Sequence, residues 1–330
     1  MRRFTSALLF LLSLTAITTG ARAEVALFLE EPFAKFGRFN PTGHAAVYLS
    51  RVCAASPVSL RRCGPDEAGV VISRYYRVGG YDWIAIPLLP YLYAVDDASA
   101  VPSEMDAQTE EFLRDNYRRT HLLDVVPDGK DGAMPEGTWI ELVGSAYDRK
   151  IYAFEMDTDP TQDDEFIAKF NAARNSSHFN LLFSNCAGFS GGVLNFFYPH
   201  STHRDFIQDV GVSTPKQLAK SLMKYGRRHG DVRFRVYVIP QVAGTLGRSR
   251  AVRGVLESLF TGPEYTLPAA AAFVNPVVLG GAVVVYAARF FVHSSHPFPG
   301  EIGVPLNPDD VASTLAFGEN LNSADYRRRQ

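Results

Sequence analysis

Cys186 stands alone within the stretch SNCAGF, which runs from Ser184 to Phe189 and precedes a glycine-rich apolar segment. Ser184 or Asn185 can cap a helix that begins there, which places the thiol in the first turn. Unpaired amide hydrogens and the positive end of the helix dipole favour thiolate over thiol at that position, and the thiolate is the nucleophile. The competing interpretation is that Cys186 is a small buried apolar residue.

A nucleophilic thiol needs a base, and the chain offers eight histidines. His44 follows Gly43 at the start of an apolar strand, where an imidazole can project from a sheet edge into a cleft. His178 precedes Cys186 by eight residues, but it follows Asn-Ser-Ser, which is typical of an exposed turn. The pattern alone favours His44 over its rivals only modestly.

Two close pairs of histidines could contact a metal, but neither has a Cys, Asp or Glu at ligand spacing. They are His200 with His203 and His293 with His296. The sequence therefore predicts no metal site, and it contains no cofactor motif.

Short β-branched and apolar runs predict the strands that would position these residues. One strand begins at His44, and GVVISRYYRV predicts a second over 69–78. Two alternating strands are predicted within 138–158, the second of them over 150–156. RFRVYVIP predicts a last strand near residue 235.

Capping residues and apolar stripes predict the helices. One helix is predicted over 104–120 after Ser103, and another begins at a cap formed by Thr161. A third begins at Cys186, and a short fourth helix ends at Gly226. Strands and helices are mixed without strict strand-helix-strand alternation, so the predicted fold class is α+β.

The N-terminal segment 1–23 has the three parts of a secretory signal peptide. Two arginines precede an apolar core, and Ala21-Arg22-Ala23 forms the cleavage site before Glu24. The mature protein is therefore expected to be exported, to a periplasm or cell envelope. A retained signal anchor is the alternative.

Export would place the three cysteines in a compartment where disulfides can form. Cys53 and Cys63 bracket a short loop, and in an oxidising compartment such a pair can form a disulfide. The alternative is two independent buried thiols. Cys186 is then the unpaired cysteine, either a partner for another chain or a reactive thiol.

The segment 268–291 is apolar, and Arg289 is its only charge. About 20 apolar residues suffice for a helix to cross a bilayer, although its Asn-Pro and Gly-Gly steps would weaken or kink such a helix. Two interpretations are open, a single membrane span with a cytoplasmic C-terminus or a buried apolar hairpin or helix pair. A net charge of −2 gives no reason to expect a nucleic-acid partner.

The two motifs GHxxxY, at 43–48, and NCxxF, at 185–189, resemble those of the circularly permuted branch of the NlpC-like papain-fold hydrolases, a group that includes lecithin:retinol acyltransferase. In that branch the histidine strand comes first and the cysteine helix last, as here. The resemblance implies a permuted papain-like fold over 24–245, with an antiparallel sheet packed against the helix that carries the cysteine. Segments 53–63 and 81–137 would be insertions, and 246–330 a C-terminal region with the apolar helical segment.

The resemblance implies that Cys186 is the nucleophile and His44 the general base. The family's third member is a polar residue on the strand after the histidine strand. That strand has no acid, amide or histidine at its centre, and Ser73 is the nearest candidate. This departure from the family pattern keeps a non-catalytic interpretation open.

Three hypotheses of function follow. The first is an exported thiol hydrolase or acyltransferase that acts through an acyl-thioester on a cell-wall peptide or a lipid acyl group. The second is a catalytically inactive papain-fold protein for binding or envelope assembly, anchored in the membrane. The third is a small membrane protein whose soluble part senses or scaffolds.

Overall fold

The computed structural model describes residues 23–33, 42–133, 135, 137–177, 179–180, 184–204, 212–252 and 254 of the 330-residue chain. Its centre is a six-stranded sheet in the order β6-β5-β2-β1-β8-β9, with every neighbouring pair antiparallel. The strands of this sheet are β1 (Ala23–Glu30), β2 (His44–Leu49), β5 (Val70–Ser73), β6 (Ile84–Pro87), β8 (Ile151–Thr158) and β9 (Phe234–Ile239). The α+β class and the antiparallel sheet are therefore confirmed.

Two small pairs of strands lie outside this sheet, and six α-helices complete the described chain. The small pairs are β3 (Val52–Ser56) with β4 (Ser59–Arg62), and β7 (Glu104–Met105) with β10 (Ala243–Gly244). The helices are α1 (Leu88–Tyr93), α2 (Ala107–His121), α3 (Ser145–Asp148), α4 (Pro160–Ala172), α5 (Cys186–Phe197) and α6 (Pro215–Arg228).

Alternation along the strands divides the core into two layers, because successive strand residues point to opposite faces of the sheet. Val25, Leu27 and Leu29 of β1 pack beneath α4, α5 and α6, and we call this side the helix face. Ala26 and Phe28 pack on the opposite side against α1 and the segment from Trp139 to Tyr147, and we call that side the cluster face. Both faces of the sheet are buried.

The predicted disulfide is confirmed. Cys53 and Cys63 are bonded, with an S–S distance of 2.05 Å. The residues between them form the β3–β4 hairpin rather than an irregular loop. The side-chain amide of Asn171 on α4 accepts from Leu60 N and donates to Leu60 O, at 2.9 and 2.8 Å, so this hairpin is clamped to the helix face.

Several predicted boundaries were wrong. The second strand ends at Ser73 rather than at residue 78, and Arg77 takes a positive φ of 55° in the irregular segment that follows. The first strand predicted within 138–158 is instead a 3₁₀ turn, Trp139–Glu141, followed by α3. Its buried residues recur with helical spacing, which a strand would not produce: Trp139, Leu142, Val143 and Ala146.

Two helix caps also differ from prediction. Asp106 caps α2 in place of Ser103, and Asp159 caps α4 in place of Thr161. Asn185 caps α5, as one of the two predicted candidates. The capping residue is the one at which the chain turns into the helix. When several polar residues lie close together, the sequence does not show which of them that is.

Residues 1–22 of the predicted signal peptide lie outside the described residues, and Ala23 is the first residue of β1. The apolar segment 268–291 also lies outside them. In the part of the chain that the structure describes, no helix has the length and apolar character needed to cross a bilayer. Segment 81–137, predicted as an insertion, contributes the edge strand β6 and helix α1.

Candidate functional site

Cys186 is the first residue of α5, on the helix face. Asn185 sets this position, since its side-chain oxygen accepts from Gly188 N at 2.8 Å and its side-chain nitrogen donates to Ser213 O at 2.9 Å. The cysteine is partly buried against the apolar core of that face. Its sulfur faces the backbone amides of Ala45 and Ala187, and each of these N–H groups lowers the thiol pKa. The thiol therefore lies against Ala45 at the start of β2, and Ala45 is the residue that follows His44 in the chain.

The sheet opens where the thiol lies. The ladder between β2 and β5 runs from Leu49 and Val70 to Val47 and Ile72, and no pair follows it among the described residues. Beyond that point Ser73 Oγ donates to Ala45 O at 2.7 Å. The hydroxyl of Ser73 thus bonds the backbone of β2, while Ser73's own strand turns away towards β6.

His44 projects to the cluster face, since Ala46 and Tyr48 on the same side of β2 belong to that core. Gly43 makes this possible with a φ of 73°, because a Cβ there would lie 2.1 Å from Glu30 O. The imidazole is 4 % exposed and stacks on Tyr75, with ring centroids 5.3 Å apart. Its Nδ1 lies 3.9 Å from Glu141 Oε2, and its Nε2 is buried with no hydrogen-bond partner among the described residues.

A buried ionic cluster supports this histidine. Arg149, 1 % exposed, lies between two acids, with Nη1 3.0 Å from Glu30 Oε2 and Nη2 3.5 Å from Glu141 Oε1. Glu30 is fully buried, and the hydroxyl of Tyr91 donates to its other oxygen. The guanidinium of Arg149 also stacks on the ring of Phe33, 4.4 Å from its centroid. We call Glu30, His44, Tyr91, Glu141 and Arg149 the ionic cluster.

Burial decides the protonation states of the candidate pair. Burial lowers the pKa of His44 to about 4. The negative charge of Glu30 opposes this shift, and the positive charge of Arg149 adds to it. Burial raises the pKa of the Cys186 thiol to about 12, and the carboxylates of Glu141 and Glu30 add to this rise. At neutral pH the thiol and the imidazole are therefore both neutral. The predicted preference for thiolate is therefore wrong for this resting arrangement, because desolvation of the sulfur outweighs the amides of the helix start.

Glu141 was missed by sequence analysis. Burial raises the pKa of its carboxyl, while Arg149 lowers it. Glu141 belongs to a segment predicted as a strand, and nothing in its local pattern points to His44. The one available signal was an acid within a run of buried apolar residues, which is unusual unless the acid is paired. Ser73 stays a predicted third member, and Glu141 is a second candidate.

No contact joins His200 or His203, the other candidate histidines that the structure describes, to Cys186 or His44. His203 Nδ1 lies 3.4 Å from Ser221 Oγ in the middle of α6, and His178, His293 and His296 lie outside the described residues. Within the described ranges, the side chains gathered as metal ligands are Cys53, Cys63 and Glu67. The sulfur atoms of the two cysteines are bonded to each other in the disulfide, so this group cannot hold a metal in the oxidised protein.

Comparison of the chain with protein-family models, with curated proteins and with solved structures gave no match. The functional assignment therefore depends on the geometry of the site and on the two sequence motifs.

Proposed function

We propose that the chain is an exported Cys-His thiol hydrolase or acyltransferase with a permuted papain-like fold. The observation that carries this proposal is the contact between the Cys186 thiol and the backbone N–H of Ala45, the residue that follows a buried histidine whose Nε2 has no hydrogen-bond partner among the described residues. A buried unpaired nitrogen costs about 1–3 kcal/mol, so its retention needs an explanation. Proton transfer during catalysis is that explanation here.

The roles follow from chemistry. In this proposal His44 reaches the thiol through the opening between β2 and β5 and accepts its proton at Nε2. The sulfur then attacks the carbonyl carbon of an amide or ester. The Cys186 N–H, in the first helical turn, helps to hold the oxyanion of the tetrahedral intermediate. When that intermediate collapses, the imidazolium returns the proton to the leaving amine or alcohol. Water or another acceptor then attacks the thioester and frees the cysteine.

Glu141 fits the role of the group that orients the imidazole and stabilises the imidazolium. Its Oε2 faces Nδ1, and Arg149 holds its other oxygen. A carboxylate near the second nitrogen is the arrangement that a Cys-His pair needs for its third member. Ser73 instead bonds the Ala45 carbonyl, which keeps β2 in place beneath the thiol.

A second candidate function is a binding or envelope-assembly protein with the same fold and no catalysis. The protonation states favour this non-catalytic function. A thiol with a pKa of about 12 does not readily give its proton to an imidazole with a pKa of about 4 while burial holds both pKa values there. Under the catalytic proposal, substrate or solvent must enter the opening between β2 and β5 before the thiol is activated.

Export and the substrate are part of the proposal. Segment 1–23 supports export to a periplasm or cell envelope, and 268–291 supports membrane association. The acyl donor would be a cell-wall peptide or a lipid. We propose no nucleic-acid partner and no cofactor.

Acylation of the purified full-length chain by p-nitrophenyl acetate tests the function. With the Cys53–Cys63 disulfide intact, Cys186 is the free thiol, so acetylation appears in the intact mass. We expect His44→Ala to slow release of p-nitrophenol by about 100-fold, which is typical for loss of a general base. His203→Ala, at an exposed histidine away from the site, is the matched control and should leave the rate unchanged.

Two results would contradict catalysis. One is a thiol that is not acetylated in the folded protein, and the other is acetylation that proceeds equally fast without His44. Either result would favour the binding protein.

A further inference from the structure

The four residues that follow β5 run from the candidate site to the surface of the protein. Arg74 Nη1 donates to Ser184 Oγ at 2.7 Å, and its guanidinium lies 5.3 Å from the centre of the Phe189 ring, so it contacts both sides of the cysteine. Tyr75 stacks on His44. Tyr76 and Arg77 come next and are both exposed. This strip therefore leads from the buried pair to the surface outside it.

The surface end of the strip is held rigidly. Thr138 N donates to Tyr76 O at 3.0 Å, and Tyr76 N donates to Thr138 Oγ1 at 3.1 Å. Gly137 packs so closely that a Cβ there would lie 2.4 Å from Arg77 O. Because Glu141 follows in the same segment, Tyr76 and Arg77 are fixed to the part of the chain that supports His44.

The two arginines of the strip differ in their partners. Arg74 is neutralised by Asp82, with Nη2 2.6 Å from Oδ2. Arg77 is exposed, forms no ion pair with any residue that the structure describes, and lies over the ring of Tyr76 with its guanidinium carbon 5.1 Å from the centroid. The charge of Arg77 is thus available to a ligand.

Aromatic surface lies beside Arg77. Tyr76 is 42 % exposed, one of three exposed large apolar side chains in the described ranges. Its ring meets Phe179 edge to face at 5.3 Å, and Phe179 lies on the segment that leads to Cys186. An apolar shelf therefore lies beside a cation that has no ion-pair partner among the described residues, at the surface end of the strip.

We propose that Tyr76 and Arg77 form a substrate subsite, in which Arg77 binds an anionic group of the acyl compound and Tyr76 with Phe179 contacts the apolar part next to it. The assignment of this ligand as a substrate rests on the proposed function. A guanidinium binds carboxylate and phosphate through the same paired N–H donors, so the shared chemistry is an oxyanion attached to an apolar group.

Binding of two probes that differ in one charge tests the subsite without any reaction. N-acetyl-L-phenylalanine carries a carboxylate, and N-acetyl-L-phenylalaninamide is its neutral counterpart. In isothermal titrations of the full-length chain at low ionic strength, we expect the acid to bind about five times more tightly than the amide. Arg77→Gln should abolish this preference, Arg77→Lys should retain part of it, and Arg227→Gln, at an exposed arginine of α6, should leave it intact.

The subsite is overturned if the acid and amide bind equally, if neither binds, or if the preference survives Arg77→Gln. Phenyl phosphate distinguishes the two anion types. Tighter binding of phenyl phosphate than of the acid, lost in Arg77→Gln, would identify a phosphate ligand such as a lipid headgroup, and the reverse order would identify a carboxylate.

The outcome does not depend on catalysis, because binding needs no reactive thiol. An Arg77-dependent preference in a protein that p-nitrophenyl acetate does not acetylate would show an anion subsite on a binding protein. Acetylation that depends on His44, without any anion preference, would retain the hydrolase and remove only the subsite.

Discussion

The two faces of the central sheet are built from alternate residues of the same strands, yet they differ where β2 begins. On the helix face, Leu29 and Ala45 lie in a wholly apolar core beneath α5. At the next pair of the antiparallel ladder, on the cluster face, Glu30 and His44 lie opposite each other within the ionic cluster. A step of one residue along a strand therefore exchanges apolar packing for buried charge.

The two faces therefore contribute differently to the stability of the fold and to the candidate site. Apolar burial on the helix face stabilises the fold by about 25 cal/mol for each Å² removed from water. Buried ion pairs add little net stability, because desolvation offsets their attraction, but each partner becomes costly to remove alone. The helix face thus holds Cys186 rigidly, while the cluster face sets the orientation and charge of His44.

Removal of the cation from the cluster should have the largest effect. Arg149→Met leaves Glu30 and Glu141 buried without their partner, and we expect a loss of about 3–5 kcal/mol in the free energy of unfolding. The pKa of Glu141 then rises further, since Arg149 is what lowers it against burial. A carboxyl with a raised pKa is neutral when folded at low pH, so the loss should shrink as pH falls towards the unfolded value of about 4.5.

Urea unfolding at several pH values measures this loss. The matched control is Arg61→Met, at an exposed arginine paired with Glu67, which should unfold like the parent protein. Equal stability of the two variants would mean that the ionic cluster does not hold the cluster face together.

A cavity on the helix face should cost slightly less and should not depend on pH. Phe166 is fully buried and packs against Phe170, Phe196 and Phe197, with centroid distances of 4.1, 5.4 and 5.2 Å. We expect Phe166→Ala to lower the free energy of unfolding by about 3–4 kcal/mol. The loss should be the same across the pH range used for Arg149→Met. A pH-dependent loss would show that the two faces are electrostatically coupled.

Acid should destabilise the cluster face through His44. Its pKa is about 4 when folded and 6.5 as the reference for the unfolded chain, so the unfolded state binds the additional proton between these values. Stability therefore falls as pH drops from 6.5 to 4, by about 3 kcal/mol from this group.

His44→Gln removes the titrating group and should flatten this part of the stability profile. The measurement is urea unfolding of both proteins over the same pH range. An identical acid dependence in parent and variant would show that His44 titrates normally and is not enclosed by the cluster.

The smallest effect distinguishes the two candidates for the third site residue. Glu141→Gln removes the charge that faces His44 Nδ1, and we expect acetylation of Cys186 to slow by about tenfold. Ser73→Ala removes a hydrogen bond to the backbone of β2 and should slow acetylation by no more than about threefold. The comparison uses initial rates of p-nitrophenol release, and the reverse order would restore Ser73 as the orienting residue.

Features with a local cause could be predicted from the sequence. The strand that begins at His44 follows from a glycine and an alternating apolar run, and the helix that begins at Cys186 follows from the cap Asn185. The Cys53–Cys63 disulfide follows from spacing and an expected oxidising compartment. Each depends on residues near one another in the chain, where capping and periodicity operate.

The tertiary structure alone decided which groups meet at the site and what charge they carry. The side of β2 on which His44 projects depends on register, and its carboxylate neighbour comes from a 3₁₀ turn far along the chain. Burial of Cys186 by distant segments raises the pKa of its thiol, against the local influence of its helix start. Sequence determines capping and periodicity within a few residues, whereas desolvation and Coulomb interactions depend on what the folded chain brings within a few ångströms.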